Sequence, residues 1–382
     1  MSVSNAIRQS AHERYEELDG LRALSVLGIV AFHLFPATGL WFTVNLFFVL
    51  SGFFITRNLR ASQGQPLWRY LGGFYARRAA RIFPPYFLYI ALLWSLFVIF
   101  GQPEPLPQYI VSLLTFSYNL TRATGYWVCS DLFTHLWSLS VEAQFYLLWP
   151  WVIALCPGRF LPLLCGVVVC LVPLWRYGLS EWCLAHGIPL NQIADCVYWS
   201  TIGHLDAFAA GALVAVALHK ADKRRYRWQQ AGLWLLPIAG AANIAYLWSI
   251  YGYGDSLMAS MGYPIYNTHA YQHIWAGSVL TVAWGALVSM LVSDGEGEWW
   301  FKRVLSHPWL VDIGRISYGI YLWHWAVLTA LLACFPSESV PLRVLLVLPA
   351  TCAVTYLIAK CSYHFVELPT LRRFGALRKG ST

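Results

Sequence analysis

Residues 18–35 read LDGLRALSVLGIVAFHLF. A helix of that length rises about 27 Å, close to the ~30 Å hydrocarbon thickness of a bilayer. Yet Asp19, Arg22 and His33 interrupt the apolar pattern. At 100° per residue, Arg22 and His33 fall about 20° apart around the helix, and Asp19 about 40° from His33. One polar stripe therefore runs along a greasy helix. An ionisable group facing lipid costs several kcal/mol, so the stripe is predicted to face a protein interior or a water-filled cavity.

The rest of the chain has the same character. Of 382 residues, 58% are hydrophobic and 12% charged, with a mean hydropathy of +0.52. Soluble domains carry about 25% charged residues, so this composition belongs to a polytopic membrane protein. The expected fold is all-α. About ten transmembrane helices are predicted near 18–35, 40–59, 83–101, 136–156, 159–177, 198–218, 231–250, 272–292, 309–334 and 342–361. Residues 1–17 read as a cytoplasmic tail, 18–362 as one transmembrane domain, and 363–382 as a basic tail lying on the inner leaflet. A helix stop is expected at Glu367-Leu368-Pro369. No repeat or long linker divides the chain.

Charge sets the orientation. With the N-terminus inside, 21 of the 26 basic residues fall on the cytoplasmic side, and only Arg122, Arg176 and Arg343 on the other. The positive-inside rule then places both termini in the cytoplasm. The net charge of +8 is that excess, and no nucleic-acid partner is inferred from it. The polar first seventeen residues do not resemble a cleavable signal peptide. Nine Cys occur without a CxxC pair or His/Cys ligand spacing, so no metal site is expected. Cys183 and Cys196 share one predicted external loop and are close enough in sequence to pair.

Several segments carry candidate chemistry. In the second helix Ser51-Gly52 is a small pair that lets a neighbouring backbone approach, and Asn45 offers a hydrogen bond. In FYARRAARIFPPYF, Arg78 and Arg81 project together, and Pro84 and Pro85 are read as starting the third helix. Paired guanidiniums suit a phosphate-bearing ligand, and equally the positive-inside rule or anionic lipid. In THLWSLSVEAQFYLLWPW, His135, Ser138 and Glu142 share a side. A carboxylate inside a span is a functional-site candidate, with an interhelical hydrogen bond as the plain alternative.

Asp206, after His204 in GHLDAFAAGALVA, either serves a site or complements its helix dipole. Loop 251–273 interleaves Tyr251, Tyr253, Tyr263, Tyr266 and Tyr271 with Asp255, Asn267, His269 and His273. That mixture suits a carbohydrate or an interfacial aromatic belt. Ser317, Tyr321 and His324 follow i, i+4, i+7 in GRISYGIYLWHWAV and share a face.

Six of these stretches, ELDGLRALSVLGIVAFH, FFVLSGFFI, RRAARIFPPY, HLWSLSVEAQFYLLWP, GRISYGIYLWHW and YHFVELP, together resemble the acyltransferase-3 family of membrane acyltransferases. They occur in the expected order over nearly the whole chain. The family pattern has Arg where His204 stands. Family members often carry an appended SGNH-type domain, for which this chain is expected to be too short.

The resemblance implies an enzyme of the bacterial cytoplasmic membrane that moves an acyl group, usually acetyl, from cytoplasmic acetyl-CoA to a sugar hydroxyl. Implied acceptors are surface polysaccharides (O-antigen, capsule, exopolysaccharide), their lipid-linked precursors or peptidoglycan, with small glycosylated metabolites as an alternative. His33 matches the family's essential histidine, and Arg22, Arg78, Arg81 and Glu142 its other recurrent polar positions. On that reading Arg78, Arg81, Arg22 and Ser51 line the donor's path. His33 is the general base, aided by Arg22 and by Glu142, which orients its imidazole or stabilises its charged form. Asp19, His135, Ser138, Asp206, Tyr321 and His324 lie toward the acceptor. An acyl-enzyme on His33 or Ser138 is a second route. A transporter is the rival class, since intramembrane His, Arg and Glu also mark transport paths. No inverted repeat or matched pair of broken spans supports it.

Overall fold

The computed structural model describes residues 14–36, 38–100, 106–123, 130, 132–217, 223–252, 258–264, 267–268, 271–293, 300–335 and 339–379. Residues 1–13 of the expected N-terminal tail lie outside them, as do Tyr253, Asp255, Tyr266 and His269 of the aromatic loop.

The opening stretch forms α1 (Glu16–Leu34). It leads to α2 (Thr43–Ala61), α3 (Leu67–Phe100), α4 (Leu106–Leu114) and α5 (Tyr118–Ala123). Next come α6 (Trp137–Leu155), α7 (Leu161–Ala185), α8 (Leu190–Trp199) and α9 (Leu205–Ala217). The chain continues through α10 (Lys223–Tyr251), α11 (Gln272–Leu291), α12 (Trp300–Leu305) and α13 (Pro308–Arg315). It closes with α14 (Ser317–Cys334) and α15 (Val340–Arg373).

Among the described residues, seven helices are long and apolar enough to cross a membrane, or eight if the pair α8 and α9, bent by 73°, counts as one span. The other two expected spans, α1 and α6, are 19-residue helices carrying the charged and polar groups described below. The protein is thus an all-α, multi-pass integral membrane protein. Its lipid-facing and core helices separate by burial. The apolar window of α2 is 83% buried, against 22% in α7, 17% in α10 and 22% in α15. Leu163, Trp234, Ile238 and Leu357 accordingly point outward.

Small residues set the central crossings. A Cβ on Gly52 would lie 2.0 Å from the Phe208 carbonyl oxygen, and one on Gly211 1.9 Å from that of Val49. The two backbones of α2 and α9 therefore touch, as the Ser51-Gly52 pair led us to expect. A Cβ on Gly20 would meet the Leu305 carbonyl at 1.9 Å, and one on Gly314 that of Asp19 at 1.8 Å. These contacts fix α12 and α13 across the start of α1.

Four local expectations need correction. Pro84 and Pro85 lie inside α3, which begins at Leu67. Each proline lacks an N–H, but spans tolerate this when neighbours satisfy the freed groups. The Tyr318 hydroxyl packs beside this turn and donates to the Ile82 carbonyl at 3.0 Å, next to the Ala80 and Arg81 carbonyls that the two prolines leave without their i+4 donors. The predicted loop 178–197 is mostly helix, with a break at Gly187 (φ +73°) and Pro189. The predicted helix 309–334 is two helices, because Ile316 (φ −100°, ψ 12°) leaves helical geometry. The helix also continues through Glu367-Leu368-Pro369 by way of a π-turn, so no stop occurs there and Glu367 is buried. Cys183 and Cys196 pack in one small buried cluster.

Candidate functional site

Helix α2 runs past three cavities and orders them. Its C-terminal half, with Phe54, Ile55, Arg57 and Asn58, borders a polar vestibule. Its middle, with Val44, Phe47, Phe48 and Ser51, borders a chamber. Its first turn, with Asn45, borders a cleft at the opposite end. Vestibule and chamber share Arg22, Ser51, Arg78 and Arg81, so they form one continuous recess.

The vestibule is a ring of cations. Arg78 and Arg81, one turn apart on α3, both turn inward, whereas Arg77 is exposed. Arg22 stacks over Phe54 at 5.0 Å, and its Nε is buried without a hydrogen-bond partner. Asp19, expected near the acceptor, sits instead at this mouth and accepts from Arg14 at 2.7 Å. It belongs there because it precedes Arg22 by three residues, one helical turn.

In the chamber Glu142 accepts from Ser51 Oγ at 2.8 Å and from Tyr146 Oη at 2.9 Å. Arg78 lies over the Tyr146 ring at 5.4 Å. Glu142 thus belongs to the arginine end and does not orient His33. Above it, Ser138 Oγ and Tyr321 Oη are 2.5 Å apart, and Tyr321 Oη donates to the His135 carbonyl at 2.7 Å. Both side chains line the chamber.

Three imidazoles close the column. Ring centroids place His324 at 5.5 Å from Tyr321, 5.3 Å from His135 and 5.0 Å from His33. His324 Nδ1 bonds the Tyr321 carbonyl at 2.6 Å, and its Nε2 bonds His33 Nδ1 at 2.8 Å. A carbonyl only accepts, so His324 Nδ1 carries the hydrogen and a neutral His324 offers a lone pair at Nε2. His33 Nδ1 then donates to it, which leaves the lone pair of a neutral His33 on Nε2. The same logic applied to His135, whose Nε2 bonds the Leu322 carbonyl at 3.1 Å, leaves His135 Nδ1 as an acceptor, buried and unpartnered. The edge of His33 also meets Trp325 at 4.4 Å. Among the described residues no group of three or more His, Cys, Asp or Glu is placed to hold a metal ion.

Asp206 lines none of these three cavities. It is fully buried and accepts from Arg176 Nη2 at 2.7 Å. Arg176 comes from α7 and also reaches the carbonyls of Gly203 and Ile274. A Cβ on Gly277 would lie 2.8 Å from its guanidinium carbon, so the glycine makes room for it. A guanidinium from another helix therefore stands beside Asp206 where the family pattern has one at 204. The sequence reading also missed Tyr146, whose i+4 spacing from Glu142 was visible, and Trp325.

A family model described as an acyltransferase domain matches residues 15–360. The O-acetyltransferase OatA of Staphylococcus aureus is 27% identical over 373 residues, covering 93% of this chain and 57% of the relative. The peptidoglycan O-acetyltransferase OatA of Listeria monocytogenes is 26% identical over 368 residues, covering 92% of this chain and 55% of the relative. The chain thus spans a little over half the length of these curated relatives. No solved structure matches it.

Proposed function

From the premise that the chain belongs to the acyltransferase-3 family, we propose that it is a membrane O-acetyltransferase that transfers acetyl from cytoplasmic acetyl-CoA to a hydroxyl of a surface polysaccharide or its lipid-linked precursor. The observation that carries this reading is the recess that starts among Arg22, Arg78 and Arg81 and ends at Ser138 and Tyr321, directly beneath the imidazole cluster. Its opening has the chemistry a nucleotide's phosphates need: clustered guanidiniums, one with an unused buried N–H.

On this reading Arg78, Arg81 and Arg22 hold the phosphates. The slender thioester arm occupies the chamber past Ser51 and Glu142. Arg22 and His33 are separated by about 16 Å of helix rise, a distance suited to an extended arm. His33 Nε2 takes the proton from the acceptor hydroxyl as its oxygen bonds to the acyl carbon. The carbon–sulfur bond breaks, and the proton passes to the departing thiolate. General-base action of this kind contributes about 10²–10⁴-fold. His324 is a positioning residue, since it fixes the tautomer that exposes Nε2. Ser51 and Tyr146 hold Glu142 beside the arginines, which makes it part of the donor's polar cradle. The Lys and Arg distribution supports an orientation with both termini cytoplasmic, and the family resemblance supports the inner membrane of a bacterium.

The test is acetyl transfer by the purified full chain in detergent, with labelled acetyl-CoA and His33→Ala as the comparison. The expected result is a loss of at least a hundredfold with unchanged membrane insertion and thermal stability. Normal transfer by an inserted His33→Ala protein would refute the role of His33. Absence of any acetyl-CoA consumption by the wild type would favour a transporter.

A further inference from the structure

We propose that the cleft at the Trp41–Asn45 end of α2 is the acceptor's binding site, built for a neutral, hydroxyl-rich sugar unit; this rests on the O-acetyltransferase reading above. The cleft is bordered by Trp41, Asn45, Arg176, Tyr198, His204 and Asn267. It lies at the end of the molecule opposite the arginine vestibule, on the end where α1 reaches His33. Phe32, the residue before His33, packs into the Trp41, Phe42 and Tyr263 cluster at the cleft's edge.

Three observations define what it takes. First, two of its buried residues hold acceptor atoms with no partner. Asn45 and His204 are 4% and 6% exposed, and Asn45 Oδ1 and His204 Nδ1 make no hydrogen bond. The other ring nitrogen of His204 bonds the Tyr198 carbonyl at 2.5 Å and so carries the hydrogen, which makes Nδ1 a lone-pair acceptor. Buried acceptors left unmet call for a donor from outside the chain.

Second, the one arginine at the cleft is spent. Arg176 directs its five N–H groups to Gly203 O (twice), Ile274 O, Ser278 Oγ and Asp206, and its charge is cancelled by that carboxylate. Among the described residues lining the cleft, an anionic ligand would therefore meet bare acceptors and no Lys or Arg other than the paired Arg176, while a hydroxyl donor meets its complement. Third, Trp41 and Tyr198 pack edge to face at 5.6 Å and offer aromatic surface beside those acceptors. Aromatic surface with a few fixed polar groups is the usual build of a small-ligand pocket. The polar–aromatic loop 251–273 contributes Asn267 and His273 to it.

Phe48 links the two halves of the machine. It lines the donor chamber, and its ring lies 4.9 Å from that of His204 in the acceptor cleft.

The experiment uses cells making the full chain, a deletion strain, and the variants Asn45→Leu, His204→Phe and Asn267→Tyr, the last filling the cleft from its half-buried rim. Ester-linked acetate released from surface glycans by mild alkali reports transfer. The melting shift caused by coenzyme A on the purified protein reports the donor end separately. Expected are a tenfold or greater fall in released acetate and an unchanged coenzyme A shift. Wild-type acetate release in His204→Phe and Asn267→Tyr would overturn the acceptor cleft while leaving the O-acetyltransferase reading intact. Should Asn45→Leu also lose the coenzyme A shift, it is misfolded and Asn267→Tyr decides. No excess of released acetate in wild type over the deletion strain would overturn the O-acetyltransferase reading, and the cleft proposal with it.

Discussion

His324 is where the chemistry of single residues is most exposed to test. Its two ring nitrogens are both committed, one to the Tyr321 carbonyl and one to His33. Replacing it with Phe keeps the ring but removes the acceptor that holds the His33 tautomer. The expected outcome is a fall in kcat of roughly 10–100-fold, on the scale of losing one oriented hydrogen bond to a charged group, with KM for acetyl-CoA unchanged. The pH dependence of kcat/KM should change as well. In the wild type, activity declines as pH falls, because a protonated imidazole has no lone pair. A residue that merely packed would lower stability and leave that profile alone.

Arg78 and Arg81 should behave oppositely. Replacing either by Ala is expected to raise KM for acetyl-CoA about tenfold or more with little change in kcat, and to weaken the salt dependence of KM.

Side chains on one helix were the legible part of the site. Arg22 and His33 share α1, so the 3.6-residue period alone aligned them. Arg78 and Arg81 likewise follow from their spacing. The pairing of His33 with His324 joins residues 291 apart, and that of Arg176 with Asp206 residues 30 apart on different helices. No periodicity reports on such contacts. Glu142 illustrates the resulting error. Its side of α6 was read correctly, but only the fold reveals that Ser51 and Tyr146 hold it away from His33.

At the level of elements, the governing feature is the glycine contact between α2 and α9. Gly211→Val would drive a side chain into the Val49 backbone, which cannot yield without separating the helices. The chamber wall carrying Phe48 and Ser51 would move with it. We expect this variant to accumulate poorly or melt well below wild type. The comparison is Gly166→Ala in α7, where a Cβ meets nothing within 4 Å. There, helix propensity predicts stability equal to wild type or higher by up to ~1 kcal/mol. Equal melting temperatures for the two variants would remove this crossing from the account.

Element boundaries were less legible than element existence. Local rules for Pro and Gly predicted helix ends at Pro84 and at Glu367-Leu368-Pro369. Both helices run on through these points, with Tyr318 donating to Ile82 beside the first and a π-turn leading into the second. Conversely, α13 and α14 break apart at Ile316, two residues after Gly314 meets the start of α1. That contact joins residues far apart in sequence.

For the whole molecule, lipid-facing helices with low burial enclose a core in which α1 and α2 carry the polar groups. The composition and hydropathy of the chain already required this arrangement, since ionisable stripes must turn inward. Had Arg22 and His33 faced outward, or had apolar side chains sealed the route from Arg78 and Arg81, the enzyme reading would have ended there. Instead the arginine vestibule and the chamber are continuous, and the acceptor cleft lies at the other end of α2. On the proposed reading, donor and acceptor enter from opposite faces of the membrane.

That sidedness admits one direct measurement: transfer of label from acetyl-CoA, which does not cross membranes, in sealed vesicles of defined orientation. With the cytoplasmic face outward, added labelled acetyl-CoA should appear as alkali-labile acetate on glycan, and in vesicles of the opposite orientation it should not. Equal labelling in both orientations would contradict a donor path that begins at Arg78 and Arg81.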